Sequence, residues 1–384
     1  MIPIAKPFFD DAELKAIIEP LKSGWVSQGV KTQAFEDAFK SYISTPHAAA
    51  VSSGTAAIHL ALLALGIKPG DEVITSPFTC VASIHPIEFV GATPVFADID
   101  LNTFNINPEF IEEKITPRTK AIMPIHHFGL CCNMKHIMEI AQQHNLKVIE
   151  DAALALGAHS NNKHAGTFGD IGCFSFHPRK MITTGEGGMV VTHDEAIDKK
   201  IRTLRNYGTP IESWKRHTGK LYETQESDSI GLNYKMTDIH ASIGITQLQK
   251  ISIMLQRRKT IAERYTKELR MIEWLQLPSE PAGFTHAYQS YVCLFKCADT
   301  KKLLEAGQQL RQLMEWLNQK GIATVQGTQS IHTVPYYKKK YHFKETDFPN
   351  TLAARMLSIA LPLYPDLSEK DQSYIIQCVK NFKK

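Results

Sequence analysis

Short apolar runs alternate with amphipathic stretches through the first half of the chain. Seven of these runs are too short for helices and read as strands: Ala49–Val51, Glu72–Thr75, Pro94–Ala97, Ala121–Ile125, Lys147–Ile149, Ile171–Phe174 and Gly188–Thr192. Strands separated by helical patterns predict βαβ units. Asp11–Lys22 and Thr32–Tyr42 read as helices ahead of the strands. A long helix over Asp238–Leu269 leads to a second region, where Tyr291–Lys296 reads as a strand and Ala306–Lys320, Leu352–Ile359 and Ser368–Asn381 as helices. The pattern predicts an α/β chain in two parts: a large domain over 1–250 and a smaller α+β domain over 251–384.

Composition narrows the class. The chain has 384 residues, 43% hydrophobic and 21% charged, as ordinary soluble globular proteins have. A net charge of +4 is modest for this length and gives no footprint for nucleic acid. The basic runs Arg257–Lys259 and Lys338–Lys340 read as solvated faces that would tolerate an anionic substrate. No run reaches transmembrane length, and the N-terminus carries no signal-peptide core. The seven cysteines are odd in number and form neither a disulfide framework nor a zinc site, so free thiols and a cytoplasmic location are expected.

The segment Phe174-Ser-Phe-His-Pro-Arg-Lys-Met-Ile-Thr-Thr-Gly-Glu-Gly-Gly188 carries the sharpest chemical signal. Lys180 sits between apolar Phe174 and Phe176 and a Gly-rich turn. A desolvated amine loses its proton more readily and can attack a carbonyl, which is what a Schiff-base lysine needs. Pyridoxal phosphate is the commonest partner for one. Its phosphate needs backbone N–H groups and hydroxyls at a helix start, and Ser52-Ser-Gly-Thr55, between a strand end and an Ala/Leu-rich helix, offers them. The same motif serves equally well as a helix cap. The pyridine nitrogen needs a carboxylate. Asp151 stands at a strand end, and so does Glu150, on the opposite face; the sequence does not say which face is which. Phe78, just past a strand, is a candidate to stack on the ring, or a core aromatic. His126 and His127 follow another strand end, as ligands or as structural histidines.

These residues carry a family resemblance. The chain resembles the sugar aminotransferases of the DegT/DnrJ/EryC1/StrS type, a branch of the fold-type-I pyridoxal phosphate enzymes. The likeness runs nearly end to end, through Gly24-Trp-Val-Ser-Gln-Gly29, Ser53-Gly-Thr55, Gly70–Thr75, Glu150-Asp-Ala-Ala153, Gly169–Phe176, Lys180 with Thr184–Gly188, and Gly231–Asp238. It implies a large domain with a seven-stranded, mostly parallel mixed sheet that has one antiparallel strand. It implies that Lys180 holds pyridoxal 5'-phosphate and moves protons, that Asp151 pairs with the pyridinium, that Phe78 stacks on the ring, and that Gly54, Thr55 and Ser175 hold the phosphate. Asn233 would reach the phosphate of a neighbouring subunit, making a homodimer with shared sites. Trp25, Gln329 and His332 lie in loops that line the sugar site in the family.

Two departures stand out. The Gln or His that the family places three residues after the aspartate is Leu154 here, which cannot hydrogen-bond. The family's Asn-Tyr-Arg is Asn233-Tyr234-Lys235, which keeps the charge but loses the bidentate fork. Lys180 itself is kept, which favours transamination over the dehydration run by relatives with histidine there. The implied activity is transfer of an amino group, usually from glutamate, to a nucleotide-linked 3- or 4-keto deoxysugar for glycan biosynthesis. The alternatives are a sugar dehydratase and a cofactor-binding regulator without turnover. The polar stretch Gly208–Ser229 reads as a surface loop or as a lid over the substrate.

Overall fold

The computed structural model describes residues 1–210, 227–297 and 302–382. All seven expected strands form, each within two residues of the expected limits: β1 (His47–Val51), β2 (Glu72–Thr75), β3 (Thr93–Phe96), β4 (Thr119–Met123) and β5 (Lys147–Asp151), then, after a small hairpin of β6 (His159–Ser160) and β7 (Lys163–His164), β8 (Ile171–Ser175) and β9 (Gly188–Thr192). They make one sheet in the order β1-β9-β8-β5-β4-β2-β3. The ladders from β8 through β5, β4 and β2 to β3 are parallel. Only β9 in this sheet runs against its neighbours, pairing antiparallel with both β1 and β8. Parallel neighbours need crossovers: the helix Val81–Phe89 joins β2 to β3, and Met134–Gln143 joins β4 to β5.

Both faces of the sheet are buried. On one, Phe174 and Phe176 pack against Phe35 and Phe39 of the helix Val30–Ile43, with ring centroids 5.1 Å (Phe39–Phe174) and 5.2 Å (Phe35–Phe176) apart. On the other, the helix Gly54–Ala64 buries Leu60, Ala61 and Leu62 against Ile149, Ile171 and Cys173. Asp238 explains part of the Gly231–Asp238 signature. Its carboxylate accepts from Gly29 N (2.7 Å), Thr32 N (2.9 Å) and Thr32 Oγ1 (2.8 Å), capping a helix some 200 residues earlier in the chain.

Three expected helices are cut differently. Asp11–Lys22 divides into Asp11–Ala16 and Ile18–Ser23. Pro20 has no N–H to give to the carbonyl of Ala16, so the first helix cannot run on. The long helix breaks at Lys250 into Asp238–Gln249 and Ile251–Leu269, and Lys250 Nζ bridges Asp10 (2.7 Å) and Glu13 (2.8 Å). The third helix is Pro349–Leu357, and the residues after it form a strand, β13 (Ser358–Leu361). Pairing with β12 (Tyr291–Phe295) decides that, because a short apolar run fits either state.

Beyond Lys250 a second core forms. β10 (Leu275–Gln276), β12 and β13 make an antiparallel sheet covered by Ile251–Leu269, Leu303–Gln319 and Glu369–Lys380. β11 (Phe284–Thr285) leaves it to pair with β6. The start of the chain joins this second core: Ile2 bridges to Ile322, and Ile4 packs beside it.

Two core histidines are tied into the backbone as neutral rings. His164 Nε2 accepts from Gly157 N (2.9 Å) while its Nδ1 donates to Ala165 O (2.6 Å), and His286 Nδ1 accepts from Tyr288 N (2.8 Å). Burial pushes their pKa values down to about 4 and about 3. The unfolded chain binds protons on both below its own histidine pKa of about 6.5, and the folded chain does not. The contribution of these two rings is therefore full above about pH 6.5 and drains away as the pH falls, by ~1.4 kcal/mol per histidine per pH unit. Urea midpoints measured between about pH 6.5 and 5, before carboxylates titrate, should fall steadily. A flat midpoint over that range would contradict the assignment.

Candidate active site

The site begins with the alternation of side chains along β5. Glu150 points to the face occupied by Val148 and is fully buried, where it accepts from the backbone N–H groups of Gly166 (2.7 Å), Phe168 (2.6 Å) and Gly169 (2.7 Å), and from His126 Nε2 (2.8 Å). Its hydrogen-bonding capacity is spent in the core. Asp151 leaves on the other face, at the C-terminal end of the strand. It accepts from Ser83 Oγ (2.6 Å) and Ala153 N (3.1 Å), and it lines a cleft of about 420 Å³. The choice left open between the two carboxylates is thus made by the sheet.

The same alternation along β8 sends Phe174 and Phe176 into the core and Ser175 toward the cleft. There Ser175 meets the N-terminus of the helix Gly54–Ala64. Ser53 is the cap, accepting from Ala56 N (3.1 Å), while Gly54 and Thr55 face the cleft, so the motif serves as cap and as cradle at once. A Cβ on Gly54 would come within 2.8 Å of Ser175 Cβ, so only glycine fits. The first N–H groups of a helix have no intrahelical partner and carry its positive end, which makes this corner an anion cradle.

Lys180 lies in the turn after β8, with its N–H donated to His177 O (2.8 Å), and it lines the same cleft. Burial lowers its pKa below the usual lysine value, and the Asp151 carboxylate opposes part of that shift. The amine and the carboxylate, 29 residues apart in the chain, therefore share one cavity.

The remaining walls come from several places. Thr79, Cys80 and Ser83 line it from the segment after β2, and Ile125, His127 and Phe128 from the segment after β4. Leu154 adds an apolar side chain, and Gln289, Gly327, Thr328 and Leu361 close it from the second core. Phe128 adopts a left-handed backbone (φ 56°), uncommon for a non-glycine residue and characteristic of sites where the chain is held against its preference. Cys80, Ser83 and Gln289 carry no sequence motif, because their roles depend on contacts across 68 residues or more, such as Ser83 with Asp151.

Several expected residues fall elsewhere. Phe78 is corrected to a core aromatic: it is fully buried, stacks with Phe104 (5.9 Å) and packs on His127 (5.5 Å) and Phe128 (6.3 Å), while Cys80, two residues on, lines the cleft. Two-residue spacing does not keep one face where a strand turns into a helix. His332 is also corrected, to a buried structural histidine held by Ser330 Oγ (3.0 Å) and Glu345 O (3.1 Å). Gln329 is exposed and braces the helix Val81–Phe89 by accepting from Val81 N (3.1 Å). Trp25 donates to Gln28 O (3.0 Å) in the turn before the helix Val30–Ile43, and does not line its own chain's cleft. Asn233 is exposed and away from this cleft. Most of the Gly208–Ser229 stretch, from 211 to 226, lies outside the described residues.

The arrangement matches the parts of pyridoxal phosphate. A half-buried amine can take its aldehyde, a carboxylate can face its pyridine nitrogen, and the Gly54–Ser175 corner can cradle its phosphate. His127 lines this cavity, and neither nitrogen of its buried ring makes a hydrogen bond of good geometry with the described residues.

Comparison with known proteins agrees. Residues 7–380 match the DegT/DnrJ/EryC1/StrS aminotransferase family. The spore coat polysaccharide biosynthesis protein SpsC of Bacillus subtilis is 40% identical over 383 residues, covering 100% of this chain and 97% of that protein. Among solved structures, Spr1654 of Streptococcus pneumoniae in its PLP form superposes with a TM-score of 0.90 at 28% identity, over 99% of this chain and 97% of that one. Helicobacter pylori PseC, an aminotransferase involved in the biosynthesis of pseudoaminic acid, gives a TM-score of 0.90 at 26% identity, over 99% and 98%. With the cleft, its chemistry and these likenesses together, the chain belongs to the DegT/DnrJ/EryC1/StrS aminotransferase family, as a pyridoxal phosphate-dependent sugar aminotransferase.

Proposed function

We propose that this enzyme transfers the amino group of glutamate to a nucleotide-linked 3- or 4-keto deoxysugar, for cell-surface polysaccharide or related glycan biosynthesis in the cytoplasm. The observation that carries the reading is the convergence of Lys180, Asp151 and the Gly54–Thr55–Ser175 corner on one cleft. The resemblance to a spore coat polysaccharide biosynthesis protein supports the pathway class. Three residues of the basic runs are paired with acids at the surface: Arg257 with Asp366, Lys338 with Glu345 and Lys340 with Glu88. Exposed His177 and Arg179 on the cleft rim are better placed to meet a diphosphate.

Pyridoxal phosphate supplies an electron sink when bound. The protein does the rest. Gly54, Thr55 and Ser175 would hold its phosphate end, and Asp151, oriented by Ser83 and Ala153, would keep its pyridine nitrogen protonated. Lys180 Nζ, with its lowered pKa, takes the proton from the donor's α-carbon and later delivers one to the sugar carbon that receives nitrogen. The apolar side chains of Ile125 and Leu154 keep the wall beside the ring dry. Asn233, exposed and off its own cleft, is read as completing the site of a partner subunit in a homodimer.

Adding glutamate to the purified yellow enzyme should bleach its visible band, and a suitable keto-sugar nucleotide should restore it. A band untouched by glutamate would remove glutamate as the donor. Lys180→Ala should bind the cofactor without the Schiff-base band and lose at least ~10³-fold in turnover; full turnover would refute the role of Lys180. Co-expressing Lys180→Ala chains with Asn233→Ala chains should regain activity that neither variant has alone, because one site of each mixed dimer is then intact. No regain would end the shared-site reading.

A further inference from the structure

Leu154 leaves a chemical gap, and the cleft contains a side chain suited to fill it. We propose that His127 is a cofactor-binding residue whose imidazole donates the hydrogen bond to the ring hydroxyl oxygen of pyridoxal phosphate, the contact that Leu154 cannot make. The proposal rests on the reading of the cleft as the cofactor site.

The sheet order carries the argument. β5 lies between β8 and β4, so Asp151 at the end of β5 is flanked by Ser175 at the end of β8 and by the segment after β4. Ile125 bridges Asp151 there, His126 N donates to Asp151 O (3.1 Å), and His127 follows at once. In the pyridine ring of the cofactor, the phosphate arm and the hydroxyl stand on opposite sides of the axis through the nitrogen and the aldehyde carbon. With the nitrogen at Asp151, the aldehyde at Lys180 and the phosphate toward Ser175 and Gly54, the hydroxyl side turns toward β4 and His127.

His127 has what the contact needs. It is 1% exposed, it lines the cleft, and neither ring nitrogen makes a hydrogen bond of good geometry with the described residues, the Phe78 carbonyl being the one acceptor felt by the ring. Its backbone N donates to Asn105 Oδ1 (2.8 Å), and its ring is clamped by Phe78 (5.5 Å) and Phe128 (5.4 Å). Burial pushes its pKa down to about 3, although the nearby Phe78 carbonyl favours the charged form. The ring is therefore neutral at working pH, with one N–H to give and one acceptor nitrogen. Other buried donors of the wall are engaged: Ser83 Oγ with Asp151 and Thr79 Oγ1, and the Gln289 amide N–H with Arg179 O, while Gln289 Oε1 is an acceptor and cannot donate. The charged and titratable groups sharing the cleft are Asp151, Lys180, Cys80, Arg179, His177 and Glu186.

The test reads the holoenzyme's visible absorption against pH. A donor to the hydroxyl oxygen weakens that oxygen's hold on the neighbouring Schiff-base proton, so losing the donor strengthens it. His127→Phe keeps the packing against Phe78 and Phe128, and it should raise the pH midpoint of the band by about one unit, a tenfold gain in proton affinity. His127→Gln, which retains an amide donor, should keep the midpoint near that of the unmutated enzyme. Adding Leu154→Gln to His127→Phe should bring it back down. In the unmutated protein, the nitrogen-15 signals of the His127 ring should shift when pyridoxal phosphate is added to the cofactor-free form. A midpoint unchanged in His127→Phe, or ring signals indifferent to the cofactor, would overturn the proposal. Absence of any visible band from the unmutated enzyme would instead overturn the cofactor-site reading beneath it.

Discussion

Two neighbouring carboxylates, Glu150 and Asp151, must leave one extended strand on opposite faces, and the site depends on that. A buried carboxylate is tolerated only where donors surround it. Glu150 finds three backbone N–H groups and His126 in the core, so it ties β5 to the turn before β8. Asp151 is thereby committed to the cleft, with Ser83 and Ala153 orienting it. A one-residue slip would turn Asp151 into the core and take Glu150 away from the donors that satisfy it.

The parallel order of β8, β5, β4 and β2 then gathers the chemistry. Each strand ends at the same edge of the sheet, so residues far apart in the chain arrive at one opening: Ser175, Asp151, His127 and Cys80. This is the usual place for a ligand in an open α/β sheet. The glycine at 54 lets the helix start come close to Ser175, and the turn after β8 returns Lys180 over the opening. The second core contributes a lid of mostly small and apolar residues, and the first residues of the chain, Ile4 and Ala5, join it. The site is therefore assembled from both ends of the chain.

Much of this was legible in the sequence. The seven strands appeared as short apolar runs because buried parallel strands are apolar on both faces. Lys180, Asp151 and the Ser53–Thr55 turn were legible because each sits at a junction whose local pattern, a strand end, a helix start or a Gly-rich turn, carries its own signature. Helix ends were less so. Pro20 announces its break, but the break at Lys250 and the change from helix to strand at Ser358 depend on Glu13 and on β12, which no local window contains.

The sequence by itself determined which residue types could do the chemistry and which strands would carry them, since hydrophobic period and turn residues act over a few positions. Only the tertiary structure decided which side each residue faces and what stands next to it. It sent Glu150 inward and Asp151 outward, buried Phe78 among Phe104, His127 and Phe128, and spent His332 on Ser330 and Glu345. It also set His127 and Leu154 in the wall of one cleft. Those outcomes are set by packing and hydrogen-bond satisfaction between segments tens to hundreds of residues apart, and such pairings leave no mark on any one stretch of chain.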